Sequence, residues 1–303
     1  MPSIRSKLIT WYLQSTMKQL PLAEMGPAKV RAVLDKKPLL GLPKGIDLTV
    51  INEPIKGEWQ RPADSSSNHT ILYFHGGGYV FGRPHTHRLL TYQLALAAQA
   101  NLFSLDYRLA PEHPCPAAID DAVAAYQWLR ARGHDPKNIS FAGDSAGGGL
   151  VMSALQTLRD NGDPMPSSAI LYSPYTDLAL EGASHKGNAE TDAMFKLSSI
   201  ELGAKYYAGE LGARDPRCSP LYGNMSGLPP LLIYASSSEM LLDDSARLVR
   251  RAEQEGVDVS FVVHEGLPHA WPIFGSLIPE AMTSIKESAV FVRKYAPFNS
   301  VKD

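Results

Sequence analysis

One junction constrains this chain more than any other. Residues 139–142 (Ile-Ser-Phe-Ala) run through Gly143, Asp144, Ser145, Ala146 and Gly147 into an Ala/Leu/Met-rich segment, 148–158. The apolar run reads as a buried strand and the segment after it as a helix packed back on that strand. A Gly-x-Ser-x-Gly string in this setting makes a sharp turn in which Ser145 takes a strained backbone conformation and projects its hydroxyl from the top of a sheet. Glycine at 143 and 147 removes side chains that would collide across the turn. The helix start lies where a developing oxyanion needs N–H donors and positive potential. A Gly-rich turn without chemistry would carry the same string, so the rest of the chain has to decide.

The chain has 303 residues, enough for one large α/β domain or two modest ones, and no composition break favours two. Lys plus Arg number 29 against 31 Asp plus Glu, a formal charge of -2, which offers no electrostatic case for nucleic acid or an anionic membrane as partner. Cys115 and Cys218 sit in Pro-containing loops far apart in sequence and read as free thiols of a reducing compartment; two cysteines alone do not make a four-ligand zinc site. Near the start, Arg5 and Lys7 precede an apolar run ending at Leu13. That run is too short for a secretory signal, is followed by Gln14 and lacks a small-x-small cleavage site. Ile4, Leu8, Trp11, Tyr12 and Ser15 instead fall at helical spacing, which predicts an amphipathic helix over 1–20. No stretch approaches the roughly 20 apolar residues of a membrane span. A soluble, cytoplasmic protein is expected.

Prolines at 21, 27, 38 and 43 break the next interval around a short helix at 28–34. Strands are predicted at 46–52, 58–60, 70–74, 101–105, 169–172, 231–235 and 260–263, and helices at 89–99, 117–132 and 196–209; 62–68 is a polar turn. Strand, helix, strand, helix at this spacing signals right-handed βαβ units on a parallel sheet. The strand at 70–74 delivers His75, Gly76, Gly77, Gly78 and Tyr79, and successive glycines there let bare N–H groups approach a ligand. No Gly-Lys-Ser/Thr follows, so a phosphate loop is excluded. His85 and His87 have no third ligand at metal spacing and read as solvated loop histidines. The polar interval 180–215 interrupts the rhythm at the carboxyl end of a strand and reads as a lid, with Met194, Phe195, Tyr206 and Tyr207 as candidate lining residues.

In a hydrolase built on such a turn the order along the chain is nucleophile, acid, base. Glu239 comes first off the strand at 231–235 and is favoured as the acid; Asp243 and Asp244 follow one helical turn later, where acids commonly complement a helix dipole. His269 lies in a loop free to meet Ser145 and is favoured as the base over His264, which ends a strand.

Four strings occur in order: His-Gly-Gly-Gly from His75, Asp-Tyr-Arg-Leu-Ala-Pro-Glu-His-Pro from Asp106, Gly-Asp-Ser-Ala-Gly-Gly from Gly143, and Leu-Pro-His ending at His269. Together they resemble the bacterial hormone-sensitive-lipase-like esterases of the α/β-hydrolase superfamily over residues 45–295. The resemblance implies an α/β-hydrolase fold, a mostly parallel eight-stranded twisted sheet with helices on both faces. It implies a helical cap from residues 1–45 and from an insertion at about 180–210, over a catalytic domain of 46–303. It also implies an oxyanion site in the loop of Gly76, Gly77 and Gly78 together with Ala146, and a homodimer through the last strand around Ser260 to Val263. Relatives mostly carry Asp where Glu239 stands; Glu serves the same role elsewhere in the superfamily. Candidate pocket residues are Tyr79, Asp144, Tyr175, Phe195 and Tyr206.

The expected activity is that of a serine carboxylesterase on short- to medium-chain acyl esters, needing no metal or cofactor. A lactone or amide hydrolase would use the same groups. A receptor-like binder on the same fold, as in the plant gibberellin receptors, would lack a working triad histidine, and His269 is present here.

Overall fold

The computed structural model describes residues 1–36, 44–65 and 67–296. The breaks expected at Pro38 and Pro43, and Ser66 of the polar turn, lie outside the described residues. The strands are β1 (Ile46–Ile51), β2 (Gly57–Pro62), β3 (Thr70–Phe74), β4 (Asn101–Leu105), β5 (Ile139–Asp144), β6 (Ser168–Tyr172), β7 (Leu231–Ser236) and β8 (Val259–His264). They form one sheet in the order β1-β2-β4-β3-β5-β6-β7-β8, antiparallel at β1, β2 and β4 and parallel from β4 onward.

Alternation along buried strands builds two separate cores. Leu72 and Phe74 of β3, with Leu231 and Ile233 of β7, point to one face; Ile71, Tyr73, Leu232 and Tyr234 point to the other. The first face is covered by α4 (Ala117–Ala131), α5 (Ala146–Asp160) and α8 (Leu242–Gln254), the second by α3 (Arg88–Ala98) and α9 (Pro279–Tyr295). Strands buried on both faces have no polar side to show, which is why β3 and β7 read as continuous apolar runs. Two pieces lie outside these layers. One is the leading segment, with α1 (Ile4–Ser15) and α2 (Pro27–Leu34); the other is the insertion between β6 and β7, with α6 (Ser184–Gly187) and α7 (Leu197–Ala208).

Most element boundaries fall within one or two residues of expectation, and two differences have physical causes. The strand expected at 58–60 extends over Gly57–Pro62 because it pairs on both sides, with β1 and β4, and Trp59 packs on Phe103 at 5.0 Å. The first helix ends at Ser15, and the face it buries is Ser6 and Leu13 rather than the stripe from Ile4 to Tyr12. Hydrogen bonds set that orientation: the Ser3 amide and Ser6 hydroxyl donate to Glu280 at the start of α9, at 2.5 and 2.6 Å. Leu13 then packs on Ala193 and Met194 of the insertion.

In-register pairing of Phe74 with Gly143 brings the exit of β3 beside the turn that begins α5. A Cβ at Gly147 would overlap the carbonyl oxygen of Phe74, and one at Gly143 would meet the Gly147 backbone at 2.5 Å. Both obstacles are main chain and cannot rotate away. Gly147→Ala should therefore lower stability by about 1–3 kcal/mol, seen as a lower Tm, whereas alanine at exposed Gly187, with nothing within 4 Å, should leave Tm nearly unchanged.

Candidate active site

Four loops leave the carboxyl ends of parallel strands on one edge of the sheet, where open α/β folds gather their ligands. The loop after β3 carries Gly77 and Gly78, the turn after β5 carries Ser145, the loop after β7 carries Glu239, and the loop after β8 carries His269. Ser145, His269, Gly77, Gly78, Tyr175, Phe195 and Tyr206 all line one cavity of about 80 Å³.

Ser145 is the N-cap of α5 with φ 53° and ψ -121°, a left-handed conformation that costs a non-glycine residue of order 1–3 kcal/mol. Backbone bonds on both sides hold it there. Its amide donates to the Tyr172 carbonyl at 2.8 Å, and its own carbonyl accepts from the Gly149 and Tyr175 amides at 3.1 and 2.9 Å. Ala146 follows as the first residue of α5, whose N–H has no acceptor within the helix. Gly77 and Gly78 have φ of 116° and 59°, available to glycine without strain, and the Gly77 carbonyl accepts from Val80 and Phe81 in a tight turn.

His269 Nδ1 lies 2.5 Å from Glu239 Oε2, and the other carboxylate oxygen accepts from the Ser236 amide at 2.8 Å. A carboxylate accepts only, so Nδ1 bears the proton and Nε2 is left with its lone pair. Burial pulls the His269 pKa down, but the hydrogen bond and charge of Glu239, with Asp192 and Asp144 adding to them, outweigh it and leave the value above the usual 6.5. The rival acids are engaged elsewhere. Asp243 accepts from the Ser184 amide at 2.9 Å, and Asp244 lies 2.8 Å from His185. His264 packs its ring edgewise on Trp271 at 4.9 Å.

Several candidate residues take other places. Asp144 does not line the cavity; it is buried beneath it and accepts from the Tyr73 hydroxyl at 2.5 Å and the Gly76 amide at 3.0 Å. The Gly76 N–H is thereby committed to Asp144 and is not free for an oxyanion. Tyr79 is core, stacked on Tyr207 with ring centroids 3.6 Å apart, so neither ring reaches the cavity. Met194 lies under α1. His87, expected in solvent, is largely buried with Nε2 3.3 Å from Asp144. The sequence pattern missed this because the partner is 57 residues away, immediately before Ser145. Its neighbour His75, stacked on Tyr107 at 4.2 Å, is driven to a pKa of about 3 by burial, with His87 adding, and stays neutral.

Other participants carried no local signal. Asp192 lines the cavity, accepts from the Met194 and Phe195 amides at 2.9 and 3.2 Å and from the Met240 amide at 3.0 Å, and offers its carbonyl to Lys18 Nζ at 2.7 Å. It thus joins the insertion, the Glu239 loop and the leading segment. Arg31 of α2 donates to the carbonyls of Val80 and Ala110, both at 2.8 Å, and Asp35 accepts from the Gly82 amide at 2.7 Å, fastening α2 to the glycine loop. Leu22, Met25 and Val30 consequently reach the cavity wall.

Comparison with known proteins follows the same lines. Residues 71–273 match the family described as having the alpha/beta hydrolase fold. An acetyl-hydrolase of Streptomyces hygroscopicus is 41% identical over 254 residues, 84% of each chain. An esterase of Acinetobacter venetianus is 36% identical over 285 residues, 92% of this chain and 93% of its own. The crystal structure of an esterase from the bacterial hormone-sensitive lipase family superposes with a TM-score of 0.91 at 35% identity, covering 97% of this chain and 99% of its own.

The Asp144 cluster makes a prediction of its own. Burial raises the Asp144 pKa, but His87 and Tyr73 outweigh it and hold the value below the ordinary 3.8; the charge and hydrogen bond of Asp144, opposed by burial, lift His87 above 6.5. A depressed acid contributes stability above 3.8 that is lost as pH falls through its folded value. A raised histidine contributes stability below 6.5 that is lost as pH rises through its own. The contribution should therefore be greatest between these two values. Asp144→Ala leaves buried donors unpaired and should cost about 3–5 kcal/mol, measured by urea unfolding across that range.

Proposed function

Because this chain belongs to the α/β-hydrolase family and is a carboxylic ester hydrolase akin to the bacterial hormone-sensitive-lipase esterases, we propose that it is a serine carboxylesterase working through an acyl-enzyme. Its substrates are short- to medium-chain acyl esters. The observation that carries this reading is the buried hydrogen bond between Glu239 and His269, the latter lining the same cavity as the strained Ser145.

In this mechanism His269 Nε2 accepts the Ser145 proton as Oγ attacks the ester carbonyl. The carbonyl oxygen takes up the negative charge and accepts from the amides of Gly77, Gly78 and Ala146. On collapse, His269 returns the proton to the departing alkoxide and the acyl group stays on Ser145. Water, deprotonated by His269, then attacks the acyl-enzyme and releases the acid. Glu239 holds the imidazole tautomer and stabilises the imidazolium without taking its proton. The cavity of about 80 Å³, walled by Leu22, Val30, Phe81 and Ile200, favours small acyl groups. The leading segment and the insertion act together as a cap. Buried Cys115 and Cys218, free thiols that the fold brings into hydrogen-bond contact, suit a reducing cytoplasm, and the open edge of β8, with Val263 exposed, suits association of two copies.

Ser145→Ala should reduce ester turnover by roughly 10⁶-fold while leaving Tm nearly unchanged. Glu239→Ala should lower kcat far more than Asp243→Ala; the reverse order would reassign the acid. A p-nitrophenyl ester series from acetate to palmitate should peak at short to medium chains. Silence across the series in folded protein would redirect the assignment to a lactone or amide hydrolase.

The base must be neutral, so kcat/KM should fall as pH drops through the raised His269 pKa, with a midpoint above 6.5. Glu239→Gln removes the charge that raises it and should shift that limb to lower pH as well as reducing the rate.

A further inference from the structure

Helix α1 is apolar on two faces. Ile9 and Leu13 pack inward, whereas Ile4, Leu8, Trp11 and Tyr12 stand 78%, 60%, 65% and 59% exposed. Their spacing of i, i+4, i+7 and i+8 puts them on one continuous stripe. Single exposed apolar side chains need no explanation, but a contiguous stripe with two aromatic rings does.

Charge identifies the occupant. At about 100° per residue, Arg5 lies on one flank of the stripe and Lys7 on the other; both are exposed, and neither is in an ion pair among the described residues. No acidic residue occurs before Glu24, and the carboxylate that meets α1, Glu280, is held by Ser3 and Ser6 on its buried side, so Arg5 and Lys7 are the only charges α1 itself carries, on a chain of formal charge -2. The overall balance hides this asymmetry. A second copy docked stripe to stripe would oppose cation to cation with no acid on either α1 to pair them. An anionic lipid surface answers both features, accepting the apolar rings at the headgroup–acyl boundary and pairing the flanking cations with phosphates. We propose that α1 seats this protein on an anionic membrane surface.

The seat adjoins the cavity. Leu22 and Met25, shortly after α1, line it, as does Phe195, next to the Met194 on which α1 rests. A bilayer-bound α1 therefore holds the cavity near the lipid surface.

The fluorescence of Trp11 tests the proposal, because Trp59, Trp128 and Trp271 are buried at 5%, 9% and 0% exposure. With equimolar phosphatidylcholine and phosphatidylglycerol vesicles, emission should shift to the blue and the protein should co-sediment. Pure phosphatidylcholine should bind much less, and about 0.5 M NaCl should release the bound protein. Each basic residue near such a surface is worth about fivefold, so Arg5→Gln with Lys7→Gln should lower partitioning roughly 25-fold. Ile4→Gln with Leu8→Gln should abolish the blue shift while Tm and the hydrolysis of a soluble ester stay unchanged. Absence of the shift, or equal binding to both vesicle types, would overturn the proposal. So would concentration-dependent dimerisation in sedimentation velocity that the Ile4/Leu8 variant abolishes, since a second copy would then cover the stripe.

Discussion

One close main-chain contact is what the rest of the site depends on. The first turn of α5 passes so near the exit of β3 that only glycine fits at 143 and 147, against the carbonyls of Phe74 and His75. Parallel pairing of β3 with β5 fixes the two strands in register, and the contact between Gly147 and Phe74 fixes the helix against that pair. The glycine loop and Ser145 are thereby neighbours as a consequence of main-chain packing, before any side chain is considered. Side chains could rearrange around a looser turn, but a helix start seated on a strand end cannot drift. Amides at such a position are oriented in advance, which is what electrostatic stabilisation of a developing charge requires.

Buried carboxylates then tie the loops to one another. Asp144 joins the turn before Ser145 to the glycine loop through Gly76, and to the following helix through His87. Glu239 joins the β7 exit to the His269 loop. Asp192 joins the insertion to the Glu239 loop, and its backbone carbonyl reaches Lys18. Each is buried and each is met by amide, hydroxyl or imidazole donors, the condition under which a desolvated charge is tolerable. Their interdependence is physical: removing one acceptor strands donors on two elements at once.

The leading segment serves two surfaces. Its inner side, through Leu22, Met25 and Val30, walls the cavity, and Arg31 and Asp35 lock it to the turn beyond the glycines. Its outer side presents the only helix face among the described residues that carries four large exposed apolar side chains. Part of the cavity wall and an exposed apolar stripe thus lie on one stretch of chain.

Strand and helix periodicity, the glycines at tight turns and the order of chemical groups along the chain are local properties, and from these the α/β architecture and the loops bearing Ser145, Glu239 and His269 were legible. The choice of Glu239 over Asp243 followed from distance along the chain after β7, again a local quantity. What depended on contacts across the chain was not legible. Asp144 and Tyr79 looked like pocket residues because they flank motif glycines, yet the bonds of Asp144 to Tyr73 and Gly76 and the stacking of Tyr79 on Tyr207 hold both in the interior. His87 looked solvated because its partner is far away in sequence. The apolar stripe of α1 looked like a packing face, but hydrogen bonds from Ser3 and Ser6 to Glu280 decide which side of the helix is buried. Periodicity records which residues share a face; only the positions of distant partners determine where that face points.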